Sequence, residues 1–243
     1  MMQMCPFCSK EYDAGEPPFL LPVCPDCAEK YDEEVIKKTE IVKIAEESKE
    51  NKWRDMGITP RHYQCDFNNF IVHDKEEQLA LESCKRMSMS RKGIVAIIGN
   101  NGTGKSHLMS ATVKEIGKGH IFKMIEFGMF IRRAFAQGER TSEEAQLEKL
   151  INYSFLGIDE IEKSKFTSNE MNWLSYVIDE RNENFRATMI SGNCHPKRIH
   201  ADGTQCDKCF ESFISPDILD RISQYGVICY FSGKSNRAEL RGK

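Results

Sequence analysis

The residues Gly99-Asn100-Asn101-Gly102-Thr103-Gly104-Lys105-Ser106 have the types and spacing of a loop that wraps phosphate groups. Glycines at the bends let backbone N–H groups point inward, Lys105 reaches the β- and γ-phosphates, and the Ser106 hydroxyl can ligate Mg²⁺. Such a loop needs a buried strand before it and a helix N-terminus after it, where free amides and the helix dipole favour an anion. The flanks read that way. Ile94-Val95-Ala96-Ile97-Ile98 is an apolar, largely β-branched run, and Ser106 to Ile116 has helical spacing. The expectation is a bound nucleotide.

A second apolar run, Phe155-Leu156-Gly157-Ile158, ends in the acids Asp159 and Glu160. At a strand end, Asp159 can hold Mg²⁺ through water and Glu160 can polarise a water for in-line attack on the γ-phosphate. An acid pair of this kind suits hydrolysis better than transfer to a small molecule. A further strand ends at Ser191-Gly192-Asn193, where Asn193 can hydrogen-bond the attacking water or the γ-phosphate; the alternative is a turn asparagine. Arg221, in Asp217-Ile218-Leu219-Asp220-Arg221-Ile222, reads equally as an arginine finger from a neighbouring subunit or as a salt-bridged surface residue.

Four thiols near the start make a different chemistry. Cys5-Pro6-Phe7-Cys8 and Cys24-Pro25-Asp26-Cys27 are two CxxC pairs with fifteen residues between them, the pattern of a closed structural Zn²⁺ site. The segment has too little to bury to fold unaided, so metal binding would supply its folding energy. A third pair, Cys206-Asp207-Lys208-Cys209, lies near Cys194, His195 and His200. Its irregular spacing leaves open a second zinc site or a surface loop with incidental thiols. Cys65, Cys84 and Cys229 have no partner spacing and read as small core residues.

The elements that must position these groups follow from pattern. At 243 residues the chain has room for one full domain and an appendage. Residues 1–28 form the zinc-binding segment, whose prolines resist long helices, and 29–55 a charged, solvated helical linker. Residues 56–243 form an α/β domain with a parallel sheet flanked by helices, since apolar runs alternate with amphipathic stretches. Strands are expected at 94–98, 121–125, 153–158, 187–191 and 227–231, and helices at 106–116, 128–137, 169–182 and from Ser215-Pro216. Thr141-Ser142-Glu143-Glu144 fits a capping box opening a further helix that runs to about Ile151.

No run approaches the roughly 18 apolar residues of a membrane span, and the start lacks a basic stretch before an apolar one. A cytoplasmic protein with no membrane partner is expected. With a formal net charge of -3, any nucleic-acid contact must use a local patch. Two clusters set cations beside aromatics, Lys163-Ser164-Lys165-Phe166 and Phe130-Ile131-Arg132-Arg133-Ala134-Phe135. The candidates for single-stranded DNA are Lys163, Lys165, Phe166, Arg132, Arg133 and Phe135, against the reading of solvated helix faces.

Taken together, Gly99 to Ser106, Ile158-Asp159-Glu160, Ser191-Gly192-Asn193 and Asp220-Arg221 resemble the AAA+ P-loop ATPases of the DnaC/DnaI helicase-loader and IstB group. Gly57-Ile58-Thr59-Pro60-Arg61-His62-Tyr63 with Phe67-Asn68-Asn69-Phe70 is similar to that group's opening segment, and Phe231-Ser232-Gly233-Lys234-Ser235-Asn236-Arg237 to its end. Thr141 to Glu144 leading into Ile158-Asp159-Glu160-Ile161 resembles the DnaC branch. The resemblance, over residues 52 to 240, implies that Lys105, Ser106, Asp159 and Glu160 serve ATP and Mg²⁺, that Asn193 is sensor I, Arg221 the finger and Arg237 a second sensor. It also implies a replicative ring helicase and single-stranded DNA as partners, with self-association through the ATP sites. The N-terminus departs from the loaders, a short cysteine-rich segment replacing a larger helicase-binding domain. An IstB-like transposition helper and a non-hydrolysing zinc and nucleotide adaptor are the competing readings.

Overall fold

The computed structural model describes residues 2–6, 8–13, 24–136, 143–163, 167–196, 203–204 and 206–235, and in residues 12, 31–42 and 134–136 the backbone alone. The chain divides into two units, Met1–Lys52 and Trp53–Lys243.

In the first unit, β1 (Met2–Met4) and β2 (Glu11–Asp13) form an antiparallel pair with Met4 opposite Glu11. The Cys5 amide donates to the Lys10 carbonyl at 2.9 Å, closing the turn that carries Cys5 and Cys8. Helix α1 (Pro25–Asp55) begins immediately after Cys24, earlier than the linker helix expected from Glu29. Proline fits a first helical turn, where its missing N–H has no acceptor to satisfy, so Pro25 starts this helix and does not resist it. Residues 43–50 of α1, mostly charged, are all exposed, Ile44 among them.

In the second unit a one-turn 3-10 helix, Pro60–His62, leads to α2 (Lys75–Ser90). No helix is expected here from the sequence pattern. Its signals are a capping Asp74, which accepts from the Glu77 amide at 2.8 Å, and an apolar face at Ala80, Leu81, Cys84 and Met87. Then follow β3 (Ile94–Gly99), α3 (Lys105–Ile116), β4 (His120–Lys123), α4 (Met124–Ala136), α5 (Glu143–Asn152) and β5 (Phe155–Asp159). A 3-10 turn, Ile161–Lys163, precedes α6 (Ser168–Glu183), β6 (Ala187–Gly192), α7 (Pro216–Tyr225) and β7 (Gly226–Phe231).

The sheet is parallel throughout, in the order β4-β5-β6-β3-β7. Alternation along its strands fills two apolar layers, because successive side chains leave opposite faces. Ile94, Ala96 and Ile98 join a core with Phe127, Leu150, Leu174 and Ile218 on one side. Val95 and Ile97 join the core on the other side, with Leu81 and Cys84 of α2 and Leu108 and Met109 of α3.

Two boundaries differ from expectation. The strand expected to reach Ile125 stops at Lys123, and α4 begins at Met124 instead of near Gly128. Met124, Phe127 and Ile131 recur at helical spacing and are buried, while Glu126 Oε2 accepts from the Lys123 amide at 3.0 Å. The strand expected from Tyr153 begins at Phe155. Thr141 and Ser142 of the expected capping box lie outside the described residues. A full capping box stands instead at the start of α6, between Thr167 and Glu170. No described helix is long and apolar enough to cross a membrane.

Candidate active site

The phosphate loop joins β3, buried along its whole length, to α3. Gly99 has φ 132°, and a Cβ there would lie 2.1 Å from the Phe231 carbonyl oxygen, so no other residue fits the exit from β3. The loop is braced from β7: the Asn100 amide donates to the Phe231 carbonyl at 2.9 Å, and Asn100 Nδ2 to the Ser232 carbonyl at 2.9 Å. Thr103 Oγ1 donates to the Asn100 carbonyl at 2.9 Å. Asn101 is exposed, Gly102 lies against Ser235, and Gly104 caps α3. Lys105 is buried inside the loop, its Nζ donating to the Gly99 carbonyl at 3.0 Å and to that of Asn100. The ammonium is thus held by two loop carbonyls at the N-terminus of α3, and cation and helix end together suit a polyphosphate.

At the carboxyl ends of the neighbouring strands the polar groups converge. Ser106 Oγ donates to Asp159 Oδ2 at 2.7 Å. Asp159 Oδ1 accepts from Ser191 Oγ and, at 2.8 Å, from the Glu160 amide. A hydroxyl and an acceptor-only carboxylate face each other here, the hard-oxygen donor set that Mg²⁺ takes. Glu160 has φ 58° and its Oε1 accepts from Lys163 Nζ at 2.6 Å. Asn193 donates to the Glu162 carboxylate twice, from its backbone at 2.9 Å and from Nδ2 at 2.5 Å. Lys105, Ser106, Asp159, Glu160 and Asn193 therefore lie at or just beyond the carboxyl ends of β3, β5 and β6, the edge where an open parallel sheet takes its ligands.

Other candidates are placed differently. Arg221 Nε donates to Asp179 Oδ1 at 2.9 Å, tying α7 to α6, and that carboxylate holds the guanidinium still more firmly in its charged form. Arg237 lies outside the described residues, as do Lys165 and Phe166; the Phe135 side chain is not described either. Arg132 and Lys163 are exposed and each is paired, Arg132 with Glu170 and Lys163 with Glu160. Glu160 meets its cation through a turn and Glu170 through a packed helix, a proximity that local sequence around the cations does not display. Arg133 is exposed.

Three partners in this region carry little signal in the sequence. Ser191 and Glu162 show nothing beyond being polar near a strand end. Arg181 is wholly buried, and its guanidinium donates to the carbonyls of Leu150, Ile151, Tyr153 and Ala187 and to Thr188 Oγ1. Burial brings its pKa down to about 9. It fastens the end of α5 to the start of β6, which fixes the strands bearing Asp159 and Ser191.

In the first unit the sulfur atoms of Cys5, Cys8, Cys24 and Cys27 all lie within 4.8 Å of one another, with Cys8 and Cys24 at 3.5 Å. A tetrahedron with Zn–S bonds of about 2.3 Å has edges of about 3.8 Å, so the four thiols fit that ion. Hydrogen bonding to Cys8 and Cys24, with burial, pushes the Cys27 thiol up to about 12. The N-terminal segment is zinc-ribbon-like in this sense. Among the described residues this is the one group of three or more such ligands so gathered. Cys194, Cys206 and Cys209 are buried, and His195 bridges to Cys209, so this stretch is not a loop with surface thiols; His200 lies outside the described residues. Cys84 and Cys229 are core residues, while Cys65 is half-buried.

A five-stranded parallel sheet with a phosphate loop after an inner strand, acids ending one strand and an amide following the next, defines an AAA+ P-loop fold, and the second unit has it. No family model matches the chain. The chain is homologous to the replicative helicase loader DnaC of Escherichia coli strain K12, 28% identical over 149 residues, which are 59% of this chain and 61% of that protein. The chain thus spans about six-tenths of the length of the curated relatives it matches. Among solved structures, that of the DnaC helicase loader superposes with a TM-score of 0.57 at 18% identity, over 72% of this chain and 100% of that one. The structure of DnaI gives 0.54 at 12% identity, over 72% and 95%. At these identities the superpositions establish the fold.

Proposed function

We propose that this protein is an ATP-dependent loader of a replicative ring helicase, acting on single-stranded DNA in the cytoplasm. The observation that carries the reading is the contact of Ser106, next to Lys105 of the phosphate loop, with Asp159 at the end of β5, in a chain homologous to DnaC. Lys105 and the loop amides bind the phosphates of ATP. Ser106, with Asp159 behind it, holds Mg²⁺, which supplies charge neutralisation to the β- and γ-phosphates when bound. Glu160 takes a proton from the attacking water, and Asn193 orients that water or the γ-phosphate. Arg221 acts in trans on a neighbouring copy's site, so that self-association and hydrolysis are linked. Single-stranded DNA meets the exposed cation Arg133 and the stretch that includes Lys165 and Phe166.

In the same reading Cys5, Cys8, Cys24 and Cys27 hold one structural Zn²⁺, and the N-terminal unit docks the helicase. Four protein sulfurs close the coordination sphere, so the metal shapes a surface and offers no open position for chemistry. Affinity capture tests the reading: full-length protein with ATP should retain a hexameric ring helicase, and Lys105→Ala should not. Capture of a transposase in its place would support the IstB-like alternative, and ATP binding without any turnover the adaptor.

A further inference from the structure

The 3-10 turn Ile161–Lys163 directly follows Glu160, and each of its residues is engaged. Ile161 is fully buried and anchors the turn against the end of β6. A Cβ added at Gly192 would lie 2.6 Å from Ile161 Cγ2 and 3.1 Å from a Glu162 carboxylate oxygen, so glycine is what lets the turn approach this closely. Glu162 accepts from the backbone and side-chain N–H groups of Asn193, and Lys163 Nζ donates to Glu160 Oε1 while the Lys163 amide donates to the Glu160 carbonyl at 3.0 Å. One short turn thus occupies both side chains assigned to the attacking water.

These contacts oppose the chemistry. A carboxylate paired with an ammonium is a weaker base toward water, and the pair holds the Glu160 side chain toward Lys163. An amide donating to a carboxylate is likewise not donating to a phosphate oxygen. The junction is primed to move, because Glu160 sits in the left-handed region at φ 58°, a strained conformation for a residue with a Cβ. Ile161 supplies a fixed pivot, Glu162 and Lys163 two polar arms.

We propose that the turn is a latch on hydrolysis, in which Glu162 and Lys163 are positioning residues that hold Asn193 and Glu160 back from the attacking water. The latch rests on the hydrolytic reading of Glu160. Its strength is set by exposure: the Lys163 side chain is 52% exposed, and an ion pair in that setting shifts an equilibrium by about fivefold at most. It restrains turnover modestly and gives way easily.

Steady-state ATPase assays on the full chain with Mg²⁺ test this, with circular dichroism and thermal melts confirming that the variants are folded. Lys163→Met should raise kcat about two- to fivefold with the KM for ATP unchanged, and Lys163→Arg, which keeps the cation, should bring kcat back toward the wild-type value. Glu162→Ala, which frees Asn193, should also raise kcat; a fall would assign Glu162 to supporting Asn193 in its working position and remove it from the latch. If wild-type protein hydrolyses ATP and Lys163→Met is no faster, the latch is wrong while the hydrolytic reading stands. If both stay at the Lys105→Ala background while binding ATP, the hydrolytic reading and the latch fall together.

Discussion

Ser106 Oγ and Asp159 Oδ2 lie 2.7 Å apart across 53 positions of sequence. Ser106 follows the loop that leaves β3 and Asp159 ends β5, strands that are not neighbours in the sheet; β6 runs between them, and its Ser191 hydrogen-bonds the same carboxylate. The proposed Mg²⁺ site is therefore built from three strands at once. A change at Ser191 should be felt there: Ser191→Ala, a loss of one hydroxyl, should weaken Mg²⁺-dependent nucleotide binding several-fold while leaving metal-free nucleotide binding unchanged, as read by titration with a fluorescent ATP analogue with and without EDTA.

Glu160→Gln should bind ATP as the wild type does and lose hydrolysis by about a hundredfold or more, the usual weight of a general base. Lys105→Ala should lose both. Equilibrium binding beside phosphate release separates the two outcomes, and undiminished hydrolysis in Glu160→Gln would remove that residue as the base.

Arg221 has two roles to distinguish. If it acts across an interface, Arg221→Ala should bind ATP normally but hydrolyse poorly, and mixing it with Glu160→Gln should restore activity at shared sites. If it serves only its pair with Asp179, Arg221→Ala and Asp179→Ala should each change the melting temperature little and leave turnover unchanged.

Arg181→Met should be the most destabilising of the changes considered, by about 2–5 kcal/mol, since it strands several buried carbonyls at about 1 kcal/mol or more each. Denaturant unfolding measures it directly. A loss within about 0.5 kcal/mol, the range of an ordinary surface change, would contradict the role given to this side chain.

Stability should fall as the medium turns acid. Burial holds His107 and His120 below the ordinary imidazole range, although each ring nitrogen also bonds a backbone carbonyl, that of Asp66 and that of Asp55. Below pH about 6.5 the unfolded chain takes up these protons before the folded one does, so stability is lost as pH drops from there through the folded values. Melting temperatures from about pH 7.5 down to about pH 5 should show the decline, and His107→Gln with His120→Gln should flatten it.

The legible part of this protein is the part written in local pattern. The phosphate loop, the acid pair at 159–160 and the sulfur spacings each state their chemistry within a few residues, and the sheet follows from apolar runs whose alternation fills two layers. The helix at 75–90 escapes notice because its mean character is polar and its apolar face is narrow. Met124 and Ile125 extend an apolar run that serves strand and helix alike, so the boundary at Lys123 is settled by what Met124 packs against. Lys163 and Arg132 are exposed as their sequence suggests, but their ion pairs are hidden because Glu160 and Glu170 become their partners only through a turn and a packed helix. Glu162 gives no signal, since its meaning depends on where β6 ends.

The most direct measurement of the central claim is helicase loading itself. A replicative ring helicase, single-stranded DNA circles coated with single-strand-binding protein, ATP and this protein should together give helicase-bound circles on gel filtration. Lys105→Ala should leave the circles bare. Helicase deposited equally well without this protein, or by Lys105→Ala with ATP present, would contradict the account.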